Sequence, residues 1–327
     1  MDFDFDPESA RLAPPESEFN AQFDRRQFLK TAAAGTAFAA AATLPLPALA
    51  RQRLTFDHHR MPLGAKVNAY IQQQRRKGRI RPDEMTSWSV YDFKSGRKLV
   101  SINEDVPRQA ASMIKPFVVA AYFYELQKSG TRLHYNSKTR HMMELSIRNS
   151  NNWATNQLMK QVAHSAGTRS PRTVEHVLKK NAPAIFQNTH IVEFIPANGR
   201  TYKNKASAHD YSRFLYALWN DILPESKEIR KLMALPNRDR IKGGSHGVPL
   251  RSVVYDKTGT TAHLCGNMGI VEAKSRSGKK YSYTFVGIIE KRPRTQHYSR
   301  WARNRSAVIR SVSSLVYRDL KSRYHLV

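Results

Sequence analysis

Three short elements of this sequence combine residue types that can carry out acyl transfer. They are Ser112-Met113-Ile114-Lys115, Ser150-Asn151-Asn152 and Lys257-Thr258-Gly259. A serine becomes a nucleophile when a base takes its proton, and a lysine in an apolar setting can be that base near neutral pH. Each element alone is weak, because Ser-x-x-Lys occurs by chance in many helices. Their joint occurrence makes Ser112 the candidate nucleophile.

Ser112 is predicted to begin a buried helix. The chain from 112 to 126 is almost continuously apolar, and a helix that is apolar on all sides is buried on all sides. Free N–H groups and the helix dipole favour a developing alkoxide at this end. Lys115 follows one turn later on the same face, and Pro116 is tolerated in a first turn. The alternative, a capping serine and a surface lysine, is disfavoured because so apolar a helix exposes little surface.

The other two elements are predicted to border the same cleft. Ser150 and Asn152 fall between two helical patterns, in a loop that can present a hydroxyl and an amide. Lys257 ends an alternating strand, and Gly259 permits close approach of another backbone. Read singly, each would be a solvated loop or a charge at a strand end.

The elements that must position these residues follow the order helix, two strands, a helical block, three strands, helix. Apolar periodicity and turn residues set their bounds. The predicted helices span 65–77, 112–126, 141–147, 153–166, 173–180, 207–219 and 300–320, and the predicted strands 88–92, 98–102, 253–260, 266–274 and 281–291.

Three further groups of residues could indicate a catalytic triad, a catalytic thiol or a zinc site, but each is better explained by a structural role. His209 and Asp210 suggest a triad, but a helix start capped by Ser207 explains both. Cys265 is the only cysteine, and a packed strand residue is favoured over a catalytic thiol. The 12 histidines show no zinc-ligand spacing, so we expect neither a metal nor a cofactor.

The first 50 residues are predicted to be a removable export signal. Arg25-Arg26 precedes an Ala-rich apolar stretch that ends in Ala48-Leu49-Ala50, a small-x-small cleavage pattern. The pair resembles the twin-arginine export signal, with Asp24 where Ser or Thr is usual. A membrane anchor is disfavoured because Gly35, Pro45 and Pro47 interrupt the stretch. We expect a periplasmic or secreted protein without a stable membrane span after cleavage.

The net charge is strongly positive, formally +28. Residues 51–327 carry 50 Lys+Arg and 19 Asp+Glu, a formal +31. The basic residues are spread along the chain and form no nucleic-acid-binding motif, so nucleic acid is not the expected partner. An exported protein meets the anionic cell envelope, and two interpretations stay open: a solvated basic surface, which is the stronger one, and electrostatic association with the envelope as a steering effect.

Together the three elements match, with one substitution, a signature of class A β-lactamases and penicillin-binding proteins. The chain resembles this family of penicillin-recognising serine hydrolases over the whole of residues 51–327, in element order as well as motifs. The resemblance implies an α/β (α+β) fold of the β-lactamase/transpeptidase type, with an antiparallel sheet flanked by helices and an all-helical subdomain. Its α/β part would comprise about 60–110 and 250–327, and its helical part about 112–249.

The resemblance also implies residue roles. Ser112 would form an acyl-enzyme with Lys115 as its base, and Ser150 would relay a proton to the departing nitrogen. The groups implied to bind substrate are Asn152 for its side-chain amide, Lys257 and Thr258 for its carboxylate, and the N–H groups of Ser112 and Thr260 as an oxyanion hole.

The sequence departs from the class A pattern in two places. The spacing from Ser112 to Ser150 is short, and the middle element has Asn151 where Asp is usual. The Glu-x-x-Leu-Asn string, whose Glu activates the deacylating water, does not occur between 166 and 207. Glu193 is the candidate base in that stretch, although a loop carboxylate paired with a cation is the stronger interpretation. Glu175 is expected to be a solvated helix residue.

Three functions therefore stay open. The favoured one is class A-like hydrolysis of the β-lactam amide, which would confer antibiotic resistance. The second is a D-alanyl-D-alanine carboxypeptidase or endopeptidase that acts on peptidoglycan and is slowly inhibited by β-lactams. The third is a non-catalytic cell-wall-binding protein on the same scaffold, against which the intact Ser-Lys pair argues.

Overall fold

The computed structural model describes residues 61–196 and 203–327, so the predicted signal at 1–50 lies outside the described residues. The helices are α1 (Leu63–Arg76), α2 (Lys115–Leu126), α3 (Ser137–Ile147), α4 (Asn152–Ser165), α5 (Arg172–Asn181), α6 (Ala208–Trp219), α7 (Ser226–Met233) and α8 (Tyr298–Tyr324). The strands are β1 (Glu84–Asp92), β2 (Arg97–Ile102), β3 (Arg108–Gln109), β4 (Lys205–Ala206), β5 (Val253–Thr260), β6 (Leu264–Lys274) and β7 (Lys280–Lys291). A 3₁₀ turn, Ala111–Ile114, precedes α2.

Five strands form one antiparallel sheet in the order β2-β1-β7-β6-β5. Strand alternation sends Phe285 and Ile289 of β7 to one face and Val286 and Ile288 to the other. The first face packs against α1 and α8, and the second belongs to the core that holds α2 to α7. Both faces are therefore buried, which confirms the predicted α+β class of an antiparallel sheet flanked by helices.

Helix α2 forms the centre of the helical part. Ten of its twelve residues are buried, and the ring of Phe117 packs edge-on against Phe186 and Phe214 at centroid distances of 4.9 and 4.8 Å. Pro116 lies in the first turn, where its missing N–H leaves no helix bond unmade. The prediction of an enclosed helix is confirmed.

The predicted helices and strands are all present, most with slightly wider bounds, and Ser207 caps α6 as predicted. The helix predicted from 112 begins instead at Lys115, because the chain at Ser112 forms a 3₁₀ turn. The sequence did not predict α7 or the small β3–β4 sheet. Among the described helices, none has both the length and the apolar character required to cross a bilayer.

Candidate active site

Ser112 lies in the 3₁₀ turn that leads into α2, and its side chain is half-buried. Ala111 just before it has φ +47°, a left-handed conformation that costs a non-glycine residue on the order of 1–3 kcal/mol. A residue distant in the sequence holds the turn, because the Ala110 N–H donates to the Asn204 carbonyl at 2.8 Å. Surrounding contacts thus keep the Ser112 turn in a strained shape, as is common at functional sites.

Two glycines of the sheet leave room for the 3₁₀ turn that contains Ser112. Gly259 of β5 pairs with Gly266 of β6, and Met113 packs over both. A Cβ at Gly259 would lie 2.9 Å from Met113 Cγ and 3.1 Å from Ala111 Cβ, and one at Gly266 would lie 2.8 Å from Met113 Cε. The predicted close backbone approach at Gly259 is confirmed, and the neighbour is the Ser112 turn.

Lys115 is fully buried at the start of α2. Its Nζ donates to the Ser150 carbonyl at 2.5 Å and to Asn152 Oδ1 at 2.9 Å. Burial, and to a smaller extent the charge of Lys257, lower the pKa of Lys115 to about 6. The amine is therefore mostly neutral at pH 7 and able to accept a proton.

The tripeptide 150–152 connects the two lysines. Ser150 has φ +53°, and while its carbonyl accepts from Lys115, its hydroxyl accepts from Lys257 Nζ at 2.5 Å. Asn151 caps α4 by accepting from the Ala154 N–H at 2.9 Å. Asn152 then turns its amide towards Lys115. The predicted loop between two helices thus has a separate task for each residue.

Lys257 is 3% exposed on β5, and its Nζ also donates to the Thr258 carbonyl at 3.1 Å. Burial lowers its pKa, against the effect of the neighbouring carboxylate of Asp256. Asp256 is held by Asn237 and Asn267 amides at 2.9 and 2.7 Å. A cation at this position suits an anionic substrate group.

Arg240 was not singled out from the sequence, yet it lies at the end of β5. Its guanidinium donates to Thr260 Oγ1 at 2.6 Å and to the Gly266 carbonyl at 2.8 Å. Thr258 and Thr260 are both half-buried on the same strand. One arginine among 54 basic residues gives no signal in the sequence, because these partners are distant along the chain.

Glu193 lies in the segment that follows α5, and its side chain is half-buried. Its Oε1 accepts from the Lys203 N–H at 3.0 Å. Asn204 bonds both the N–H and the carbonyl of Glu193, at 3.1 and 3.0 Å. Because Asn204 also accepts from Ala110, it joins the Glu193 segment to the Ser112 turn. The role of Glu193 as a base stays a prediction.

Glu175 is not a simple solvated residue, contrary to the expectation. Its carboxylate accepts from the Ile191 N–H at 2.8 Å as well as from Lys179 at 2.7 Å. It therefore holds the beginning of the same segment. Periodicity placed Glu175 correctly on a helix, but the distant main-chain donor has no local signal.

The alternative candidates have structural explanations. Ser207 Oγ accepts from the Asp210 N–H at 3.0 Å, so the predicted helix start is confirmed. His209 Nδ1 lies 2.7 Å from Asp105, and ligand atoms of these two and Glu104 lie within 4.8 Å of one another. The ammonium of Lys98, 2.8 Å from Glu104, already supplies a cation to that group.

Cys265 is fully buried on β6, with Sγ 3.7 Å from the Ala302 carbonyl oxygen and 3.5 Å from Ser306 Oγ. The prediction of a packed strand cysteine is confirmed.

Comparison with solved structures places the fold. The structure titled PBP-A is 19% identical with a TM-score of 0.62, and the alignment covers 80% of this chain and 98% of that one. A PBP-A mutant, solved as an acyl-enzyme complex with penicillin G, is 17% identical with a TM-score of 0.61, covering 80% and 96%. A class A β-lactamase representative from Bacteroides cellulosilyticus is also 17% identical with a TM-score of 0.61, covering 80% and 99%. These similarities show a β-lactamase/transpeptidase-like fold.

No match is found among curated protein sequences. Residues 128–320 match a family described as the "Beta-lactamase enzyme family". This stretch is more than half of the chain and includes Ser150 and Lys257, while Ser112 and Lys115 precede it. Family and fold together support a serine β-lactamase-like hydrolase function. The chain belongs to the beta-lactamase enzyme family.

Proposed function

We propose that the protein is a serine hydrolase that opens the β-lactam amide through an acyl-enzyme on Ser112. The observation that carries the proposal is the convergence of two buried lysines on Ser150, one at its carbonyl and one at its hydroxyl. A purely structural role would not require this arrangement, since burying two amines costs free energy. This argues against a non-catalytic binder on the same scaffold.

In acylation, Ser112 Oγ attacks the lactam carbonyl carbon while Lys115 Nζ accepts the hydroxyl proton. Lys115 is suited to this because its pKa of about 6 leaves it neutral at pH 7. The N–H groups of Ser112 and Thr260 are the proposed oxyanion hole, at the turn and at the end of β5. Hydrogen-bond donors aimed at the developing oxyanion lower the barrier most effectively when they are already in place.

Collapse of the tetrahedral intermediate breaks the C–N bond, and the leaving nitrogen takes a proton from Ser150. The Ser150 oxygen accepts from Lys257, so its own hydrogen is free to point at the substrate. The proton that Lys115 took from Ser112 then passes to Ser150, so Lys257 keeps its charge. Lys257 and Thr258 are proposed to bind the substrate carboxylate, and Asn152 its side-chain amide.

Release of the acyl-enzyme needs a water and a base, and Glu193 is the proposed base. It is a half-buried carboxylate in the segment joined by Asn204 to the Ser112 turn. Its Oε1 accepts from the Lys203 N–H at 3.0 Å, and its carboxylate would take the proton from the attacking water.

A second candidate function is hydrolysis of D-alanyl-D-alanine peptides of peptidoglycan, as a carboxypeptidase or endopeptidase. The observation that favours it is the identity of the residue that Asn156 holds by two hydrogen bonds. That residue is Ile195, which is apolar and 3% exposed. With no carboxylate at that position, a penicilloyl ester would be released slowly. β-Lactams would then be inhibitors rather than substrates.

One experiment separates these functions. The protein without residues 1–50 is mixed with a chromogenic cephalosporin and with a labelled penicillin, and Ser112→Ala serves as the control. Steady colour indicates a β-lactamase, and a lasting adduct without turnover indicates a peptidase-type acyl-enzyme. If neither colour nor adduct exceeds that of Ser112→Ala, both catalytic functions are wrong.

The proposed location is outside the cytoplasm, with residues 51–327 as the hydrolase domain. The proposal is supported by Arg25-Arg26 and the cleavage pattern at Ala48-Leu49-Ala50. Export by the twin-arginine route predicts that Arg25→Lys/Arg26→Lys keeps the protein in the cytoplasmic fraction with its first 50 residues attached. Unchanged processing would exclude this route.

A further inference from the structure

A cationic cleft lies in the helical part at the end of α4 remote from the active site. Two adjoining cavities, of about 410 and 520 Å³, share Arg132, His164 and Ser165 in their walls. Such volumes are typical of sites for small ligands. Helix α4 begins at Asn152 beside Lys115 and ends at Ser165, so its 14 residues put the cleft roughly 20 Å from the site.

The side chains that line the cleft have one sign of charge. The cationic ones are Arg132, Lys160 and Arg169, and the rings of His134 and His164 lie beside them. Among the described lining residues there is no Asp or Glu, and none of these five side chains has a hydrogen bond or ion pair within residues 61–196 and 203–327. Arg140 and Lys179, elsewhere in the helical part, pair with Glu144 and Glu175. The cleft therefore concentrates unpaired positive charge.

The main chain at this end of α4 is capped by hydrogen bonds. A helix C-terminus normally presents free carbonyls, which repel negative groups. Here the Gly167 N–H donates to the His164 carbonyl at 3.0 Å and the Thr168 N–H to the Ala163 carbonyl at 2.8 Å, with Gly167 at φ +73°. These bonds form a Schellman cap that occupies the Ala163 and His164 carbonyls and so lessens their repulsion of an anion.

We propose that this cleft binds a ligand that carries two phosphate groups, independently of the acylation site. Guanidinium groups bind phosphate oxygens in pairs, and Arg132 and Arg169 offer two such groups at one cleft. The hydroxyl of Ser165 lines both cavities and the amide of Gln161 lines the first, and both groups are suited to the neutral polar atoms of such a ligand. The phosphates can belong to a free molecule or to lipid headgroups, and the recognition chemistry is shared.

The test uses the protein without residues 1–50, the Arg132→Gln/Arg169→Gln variant, and Arg97→Gln/Arg303→Gln as a control of equal charge. Arg97 and Arg303 are exposed, and neither lines the cleft. Binding of fructose 1,6-bisphosphate is measured by calorimetry and binding to phosphatidylglycerol vesicles by sedimentation. We expect at least a tenfold loss in the cleft variant, at most a twofold loss in the control, and unchanged reaction with the labelled penicillin in both.

Loss confined to the bisphosphate assigns a free ligand, and loss confined to the vesicles assigns a headgroup. An equal loss in the cleft variant and the control would show that only the net charge matters. That result, or binding of neither probe by the unaltered protein, would overturn the proposal whatever the outcome at Ser112.

Discussion

Asn156 makes two hydrogen bonds with the main chain of Ile195. Its Nδ2 donates to the Ile195 carbonyl at 2.7 Å, and its Oδ1 accepts from the Ile195 N–H at 2.9 Å. Asn152, four residues earlier on α4, accepts from Lys115. Residues four apart share one helix face, so one face of α4 holds both Lys115 and the segment that carries Glu193. A single helix therefore sets the distance between Lys115 and Glu193, the bases proposed for acylation and deacylation.

Replacing Asn156 by Ala is expected to lower the free energy of unfolding by about 2–4 kcal/mol, because two main-chain groups of a buried residue lose their partners. Urea denaturation measures the loss. Gln157→Ala, one position on, removes an amide that makes no hydrogen bond within the described residues, and is expected to change stability by less than about 0.5 kcal/mol. Equal stabilities of the two variants would show that the clamp contributes nothing.

Glu193→Gln is expected to slow the release of a penicilloyl group from Ser112 at least tenfold and to leave acylation within threefold. The amide keeps an acceptor for the Lys203 N–H but cannot take a proton from water. Intact-protein mass spectrometry follows the adduct over time, and Asp83→Asn, an exposed acid next to β1, controls for the loss of one charge. Release at the original rate would remove Glu193 from the mechanism.

The sequence predicted the parts of the site that depend on local patterns. The unbroken apolar run placed Lys115 in the first turn of α2 with Ser112 three residues earlier, and alternation placed Lys257 on β5, three residues before its end. Periodicity and capping signals act over one to three turns, so they can be read from a single segment.

Features that depend on distant contacts or on unusual caps were missed. Helix α7 begins after Glu225, which has φ +51° and makes no side-chain cap, so no start signal precedes Ser226. Asn204 and Arg240 owe their positions to bonds with Ala110 and Thr260. Such pairings exist only once the chain has folded.

The rate of acylation is expected to depend on the protonation of Lys115. Its pKa of about 6 means that the neutral base is scarce below pH 6 and predominant above it, so the rate rises tenfold per pH unit below 6 and levels off above. Stopped-flow measurements with saturating labelled penicillin between pH 4.5 and 8.5 test this. A rate that falls as the pH rises through 6 would contradict the assignment of Lys115 as the base.

Lys257 contributes to the same inflection. Its charge is one cause of the lowered pKa of Lys115, so Lys257→Gln is expected to move the inflection to higher pH as well as to weaken substrate binding. Lys94→Gln removes an exposed charge at the β1–β2 turn and should leave the inflection in place. An inflection that stays at the same pH in Lys257→Gln would show that burial alone determines the pKa.

Gly259→Ala tests whether the sheet sets the position of the nucleophile. The new Cβ would lie 2.9 Å from Met113 Cγ and 3.1 Å from Ala111 Cβ, so the Ser112 turn has to shift away from β5. We expect acylation to fall 10- to 100-fold. The free energy of unfolding should drop by about 1–3 kcal/mol, because overpacking destabilises cores by this amount.

Adding Met113→Ala removes the nearer contact, because alanine has no Cγ. The double variant should recover acylation while gaining no stability, since it leaves a cavity between the turn and Gly266. If acylation stays low after the contact is removed, Gly259 matters for a reason other than the room it leaves for Met113.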